Sequence, residues 1–387
     1  MFTSNKVYES DAHNLETNER KSSSEGYPVH ENNQTVEDDD EFLFYNNQKR
    51  SMIQNLCSCL FPYDPAATTP IVNQEQDDSS QLKPCGMFGD KTYTQVCEEL
   101  RIKSPFQKIP GQGYMSLIVK SGDDLRQEQF ASQLISKFKD IFDAHKLKLW
   151  LKPFNIIATC NDGGLIQTIP DCISIDKLKK TFPHLPDLKA YFITTYRGGA
   201  GLSPSGLTSS RKKRLQEARL AFVQSMAGYS LLCYLLQIKD RHNGNILLDS
   251  KGHVVHVDFG FLLSNSPGNM NFESVTFKLT KEYVDVMGGT NSKWFQKFRK
   301  LMVKGFLSLR EHAEEVISFV EMTMISGLDL PCFQGSDRCL ESLRERFKLD
   351  MSSAQCKQFI NEMIDQASDN WRTRWYDWYQ KKSVGIW

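Results

Sequence analysis

Apolar residues recur at three- and four-residue spacing along much of this chain, the period of one buried helix face. Phe130, Leu134, Ile135 and Phe138 predict one such helix. Phe295, Phe298, Met302, Phe306 and Leu309 predict another, an aromatic stripe read as core. Met226 to Ile238 reads as a core helix, too short and too interrupted by Gly, Ser and Gln to cross a bilayer. Short apolar runs have the length of strands instead. These are Tyr114 to Lys120, Ile156 to Cys160, Leu165 to Ile169 beyond a turn at 161–164, Ile246 to Leu248, and Val254, Val255 and Val257 beyond a turn at Gly252. Residues 1–92 lack any such pattern. They are rich in Asn, Ser, Asp and Glu, with an acidic run from Glu37 to Glu41, and are expected to be mostly disordered. Leu56 to Phe61 is an apolar island there, read as a short packing segment, with acylation or partner docking as its other reading.

The strands around Gly252 flank a polar loop that carries chemistry. Asp240-Arg241-His242-Asn243-Gly244-Asn245 precedes them, and Val257-Asp258-Phe259-Gly260 follows. Both ends deliver hard oxygen ligands to one place, so Asn245 and Asp258 are candidate Mg²⁺ ligands, with Mn²⁺ the other candidate metal. His242 is a candidate to take a substrate proton or to stabilise a phosphoryl group in transfer. Asp240 is expected to orient the loop or share the base role. Upstream, a strand ending in Lys120 leads through Asp123 into the helix carrying Glu128. A lysine aimed at ATP phosphates and paired with a helix carboxylate is the other half of a kinase site. Glu128 is the expected partner, Asp123 a second acid lining the cleft. Protein kinases write their catalytic loop H-R-D; here the order is D-R-H.

GDDLRQE, KDRHNGNILLD, HVDFGF and FKLTKEYVDVMGG together resemble the phosphatidylinositol 4-kinases, most closely their type III beta subgroup, over roughly residues 93 to 387. The resemblance implies an α+β, bilobed protein-kinase-like fold with a small β-rich N-lobe and a larger helical C-lobe. It places the N-lobe and hinge at 93–170 and the C-lobe at 171–387. It implies ATP and Mg²⁺ use and phosphorylation of phosphatidylinositol at the 4-position. Lys120 matches the ATP-phosphate lysine, and Gln167, Thr168 and Ile169 match the hinge whose backbone meets adenine. Many relatives have Glu in place of Gln167. A first hairpin covering the phosphates is not evident; it is either hidden between Glu41 and Ile71 or absent. The runner-up readings are a catalytically weak scaffold recruiting small trafficking GTPases, and a protein Ser/Thr kinase of the related family.

The segment after D-F-G indicates the substrate. It has no basic residue before Lys278, so it lacks the cations that ring phosphates require and suits unphosphorylated phosphatidylinositol. Ser264, Asn265 and Asn269 are its neutral polar candidates, and Lys278 closes the loop. At the far end, Trp371, Trp375 and Trp378 share one face of a helix flanked by cations, a candidate membrane contact. Packing of those rings on the C-lobe is the alternative. Residues 197–210 read as an insertion, and the basic run Arg211 to Arg214 as a helix start or a lipid contact.

Composition narrows the classes. The 47 Lys and Arg balance 47 Asp and Glu, so no general basic footprint argues for nucleic acid. The 10 cysteines show no C-x-x-C pair, fitting a reduced protein rather than a disulfide or zinc framework. Phe2 rules out N-myristoylation, and no signal peptide or spanning segment is read. A cytoplasmic protein is expected, held peripherally on Golgi or endosomal membranes.

Overall fold

A strand whose glycines let its neighbours press close organises the first sheet. A computed structural model describes residues 91–198, 209–265, 276–334, 338–368 and 370–387, all within one unit that spans Thr68–Trp387. Helix α1 (Tyr93–Lys103), with a Thr92–Gln95 capping box, comes first. Strand β1 (Leu117–Ser121), helix α2 (Arg126–Ala144) and strands β2 (Ile156–Cys160) and β3 (Gly163–Gln167) follow. The sheet is antiparallel, in the order β1-β3-β2, with Lys120 opposite Gly164. Strand β3 begins two residues before the run expected from Leu165. A Cβ at Gly164 would lie 2.2 Å from the Ile157 carbonyl oxygen, so glycine allows the strand pairing there.

On the described residues, no strand precedes β1, whose Val119 is 72% exposed. The interval from Glu41 to Ile71, the candidate place of a first hairpin, lies outside them, as do the acidic run, the island at Leu56 to Phe61, and 199–208 of the insertion.

A second antiparallel sheet, β4-β5-β6, combines β4 (Cys172–Ser174), β5 (Ile246–Asp249) and β6 (Val254–His256). Ser174 caps α3 (Ile175–Thr181) and Asp187 caps α4 (Leu188–Ile193). Helix α5 (Ser209–Leu236) starts at the basic run and is buried almost continuously from Ala221 onward. Against it packs α7 (Lys293–Glu311), capped by Ser292, after α6 (Lys281–Val286). The predicted stripe Phe295, Phe298, Met302, Phe306 and Leu309 is wholly buried. Each such side chain contributes about 1.5–3 kcal/mol on burial. Helices α8 (Ala313–Ile325), α9 (Cys339–Arg346), α10 (Ser353–Ala367) and α11 (Trp371–Ser383) complete the chain, with a 3₁₀ turn at Pro331–Phe333. Small sheets beside a larger helical body match the α+β expectation.

Candidate active site

Lys120 reaches from β1 to two acids. Its Nζ pairs with the Asp123 carboxylate and lies 3.7 Å from Glu128 Oε1 in the first turn of α2. Burial pulls the ammonium pKa down, but Asp123, Glu128 and Asp258 together outweigh it and hold the group above its usual value. Glu128 moves up: burial leads, Lys120 opposes, and the negative charges of Asp258 and Asp123 add to the rise. Lys120, Glu128, Asp123 and Asp258 therefore share one electrostatic neighbourhood although 138 positions separate Lys120 from Asp258.

The polar loop and the D-F-G segment are held face to face by backbone. Val257 N–H donates to the Asn245 carbonyl (3.1 Å), extending the β5–β6 ladder, in which Ile246 pairs with His256. Asn245 N–H donates to the His242 carbonyl (3.0 Å), closing a tight turn. Asn245 Nδ2 donates to the Asp240 carbonyl (3.1 Å), so its other amide atom, the oxygen, is turned the opposite way. Asp258 is exposed. Asp240 and Asp258 both adopt left-handed backbone, at φ 59° and 63°, a conformation that costs L-residues about 1–2 kcal/mol.

His242 Nδ1 accepts a hydrogen bond from Gly244 N–H (3.1 Å), so the neutral ring carries its proton on Nε2. Burial lowers its pKa most; Asp240 and Asp258 oppose this, while Arg241 and Lys278 add to it. His256, two residues before Asp258, is different in kind. It is wholly buried, stacked on Tyr229 with ring centroids 4.6 Å apart, and its desolvation keeps it neutral well below the usual histidine range. It is a core residue.

Arg241 and Asn243 were not singled out from sequence, and both have structural jobs here. Arg241, 3% exposed, donates from Nε to the Lys239 carbonyl (2.9 Å), from Nη1 to that of Val257 (2.8 Å), and from Nη2 to that of Asp258. Its guanidinium also sits 5.8 Å from the Phe259 ring centroid. Asn243 Nδ2 donates to the Trp387 carbonyl (2.6 Å), and its oxygen accepts from Lys278 Nζ (2.9 Å).

The remaining predicted residues fall in varied places. Gln167 ends β3 and exchanges hydrogen bonds with Asn155; buried Thr168 donates to the Ser116 carbonyl; Ile169 packs on the core. Ser264 Oγ donates to the carbonyls of Cys332 (2.5 Å) and Gln334 (3.1 Å). Asn265 accepts from Leu262 N–H and donates to the Gly260 carbonyl (2.9 Å), folding the loop start back on itself. Asn269 lies outside the described residues.

Lys278, which closes the substrate loop in sequence, is turned inward. It is buried in an ion pair with Asp377 of α11 (2.5 Å) beside Asn243, because a parallel bridge between Leu279 and Ser368 draws this segment inward.

Helix α11 turns a polar face to the loop: the Tyr376 hydroxyl donates to Asp240 Oδ1, Asp377 holds Lys278, and Gln380 bonds Tyr376 (2.7 Å). Trp375 and Trp378 point outward, 47% and 55% exposed, and Trp375 stacks on Tyr379. The Trp371 side chain is outside the described residues.

A lysine–glutamate pair in the field of Asp258 and a D-R-H-N-x-N loop held against D-F-G by backbone are the parts a kinase-type phosphoryl-transfer site requires, and the region that carries them, residues 114–331, matches the model of the phosphatidylinositol 3- and 4-kinase family, to which this chain belongs. Among its relatives, phosphatidylinositol 4-kinase beta 1 of Arabidopsis thaliana is 47% identical over 317 residues, 81% of this chain and 27% of that protein. A phosphatidylinositol 4-kinase of Dictyostelium discoideum is 45% identical over 316 residues, covering 82% and 25%. Phosphatidylinositol 4-kinase beta of Xenopus laevis is 41% identical over 303 residues, covering 78% and 36%. The chain thus spans about a quarter to a third of the length of these curated relatives.

Proposed function

We propose that this chain carries the catalytic centre of a phosphatidylinositol 4-kinase, transferring the ATP γ-phosphoryl group to the 4-hydroxyl of phosphatidylinositol. The observation that supports it most is the shared field of Lys120, Glu128 and Asp258 at the mouth of the D-R-H-N-x-N loop. The names of the relatives above, all phosphatidylinositol 4-kinases, support the lipid and the ring position. The absence of Lys and Arg from 261–277 supports an unphosphorylated inositol ring.

In this reading Lys120 binds the ATP phosphates, oriented by Glu128, and the backbone around Gln167–Ile169 meets adenine. Asn245 and Asp258 would hold Mg²⁺. An amide oxygen and a carboxylate suit a hard cation that fills its other positions with phosphates and water. When bound, the metal offsets the charge of those phosphates. His242, with its proton on Nε2, donates to the phosphoryl group in transfer. Asp240, which accepts from Tyr376, would orient the loop or receive the proton of the attacking hydroxyl. Asp123 lines the nucleotide side.

The outward Trp375 and Trp378 would rest in the interface of a membrane containing the lipid. Among the described residues no helix is long and apolar enough to cross a membrane. Peripheral attachment to Golgi or endosomal membranes, with small trafficking GTPases as partners, belongs to the same proposal.

The test is purified chain, labelled ATP, Mg²⁺ and phosphatidylinositol vesicles beside a generic protein substrate, with the product chromatographed against 3- and 4-phosphate standards. Lipid labelling at the 4-position that disappears in Lys120→Met and Asp258→Ala supports the proposal. Labelling that survives both, or labels only protein, overturns it.

A further inference from the structure

Gln127 stands one residue before Glu128, in the first turn of α2, and is 5% exposed. Adjacent helix residues point about 100° apart. While Glu128 faces Lys120, Gln127 faces the other half of the site. Its Nε2 donates to two consecutive carbonyls, Phe259 (2.9 Å) and Gly260 (2.7 Å), and its Oε1 accepts from Cys332 N–H (2.8 Å). With Arg241 on the carbonyls of Val257 and Asp258, four successive backbone oxygens around Asp258 are held by two buried polar side chains. The third bond of Gln127 extends further, because the carbonyl of the same Cys332 accepts Ser264 Oγ at the start of the substrate loop.

We infer that Gln127 is a positioning residue for phosphoryl transfer: its amide fixes the Asp258 segment and the root of the substrate loop at a set distance from the Lys120–Glu128 pair. The inference rests on the kinase reading above. An apolar side chain of the same size would fill the space equally well, and nothing about packing calls for an amide with both donors used on D-F-G carbonyls. The same short stretch of helix thereby carries both connections, Glu128 to the phosphate-binding lysine and Gln127 to the metal-binding acid. A shift of α2 moves both together.

The test uses the full chain with Gln127→Met and Gln127→Glu. The Met variant removes all three bonds. The Glu variant keeps an acceptor for Cys332 N–H, loses both donors and sets negative charge against the two carbonyls. Hydrogen exchange, which requires no catalytic activity, is read first. Expected is about tenfold faster exchange across 258–265 in both variants, the size that hydrogen bonds of this kind carry. Faster exchange at 332–333 is expected in the Met variant alone, and the interior of α2 should be unchanged in both. In lipid phosphorylation, the half-saturating Mg²⁺ concentration should rise about tenfold while KM for ATP at saturating Mg²⁺ stays within about threefold. Unchanged exchange at 258–265 overturns the inference even in an active kinase, as does loss of protection spread through α2 in both variants. If the chain phosphorylates no lipid, the kinase reading fails by itself and the exchange pattern still decides the role of Gln127.

Discussion

Replacing Gly244 with Ala sets a methyl group against the His242 ring. An added Cβ would lie 2.9 Å from Cε1 and 3.0 Å from Nδ1, whereas ordinary contact begins at 3.4 Å. The ring must therefore move by 3.4 less 2.9, about half an ångström, and the Gly244 N–H bond that selects its tautomer must distort with it. A 1 Å misplacement at a reacting centre costs on the order of 100-fold, so half that distance costs roughly tenfold. The strained hydrogen bond, worth about 1 kcal/mol, adds roughly fivefold at most. We expect kcat for lipid phosphorylation to fall about 10- to 50-fold, with KM for ATP nearly constant, because Lys120 and the hinge are untouched. Gly244 is not among the glycines with positive φ, so Ala can adopt its backbone and the melting temperature should hold. Initial rates on phosphatidylinositol vesicles at saturating ATP and Mg²⁺ measure the effect, and His242→Gln with the double variant isolates its route. If the histidine transmits the damage, the double variant is no slower than His242→Gln. A Gly244→Ala enzyme within twofold of the parent, or full multiplication of the two effects, would refute the argument.

Other consequences can be measured directly. His242 is held below its ordinary value of 6.5, so the neutral ring persists below that pH; the acid limb of kcat/KM assigned to it, as the difference from His242→Gln, should fall below 6.5. The same depression makes its contribution to folding complete above about 6.5 and lost as pH falls through the folded value, so the urea midpoints of parent and His242→Gln should diverge with rising pH across that window. Arg241 is 3% exposed, and Arg241→Met removes its hydrogen bonds to three backbone carbonyls and should cost about 3–5 kcal/mol by urea unfolding. Lys at 241 should not restore it, since one ammonium cannot reproduce the fork, and full restoration by Lys contradicts the geometry. Trp375→Ala with Trp378→Ala should weaken sedimentation with anionic vesicles while leaving ATP hydrolysis in solution nearly unchanged; equal loss of both would indicate a folding role instead.

The placements legible in sequence are those that a local spacing fixes. Asn245 and Asp258 flank two short strands, and their register follows from the apolar runs between them. Lys120 and Glu128 are one strand end and one helix turn apart. The helix stripe at Phe295 to Leu309 was legible for the same reason, since its period is local. Residues acting across long separations were not legible. Tyr376 meets Asp240 from 136 positions away, Gln127 meets Cys332 from 205, and Trp387 N–H meets Asp176 from 211. No local pattern encodes such pairs. Helix α11 shows the limit clearly. Its aromatic residues mark an amphipathic face, but only the docking of Tyr376, Asp377 and Gln380 decides that the polar face turns inward. Lys278 was grouped with the substrate loop because it is the first cation after D-F-G; its Asp377 partner lies 99 residues on. The glycines at 163 and 164 read as a turn because the close approach of Ile157 has no signature in sequence.

Asp240 and Asp258 share a backbone geometry that other residues would hold more cheaply. Glycine or asparagine at either position would relieve part of the left-handed strain, and at 258 would also remove a negative charge that raises the Glu128 pKa. On the roles proposed for Asp240 and Asp258, the chemistry and the thermodynamics of this loop pull in opposite directions. Selection for heat resistance alone would drift toward folded, inert variants at these two sites, and carboxylates there persist only where turnover itself is selected.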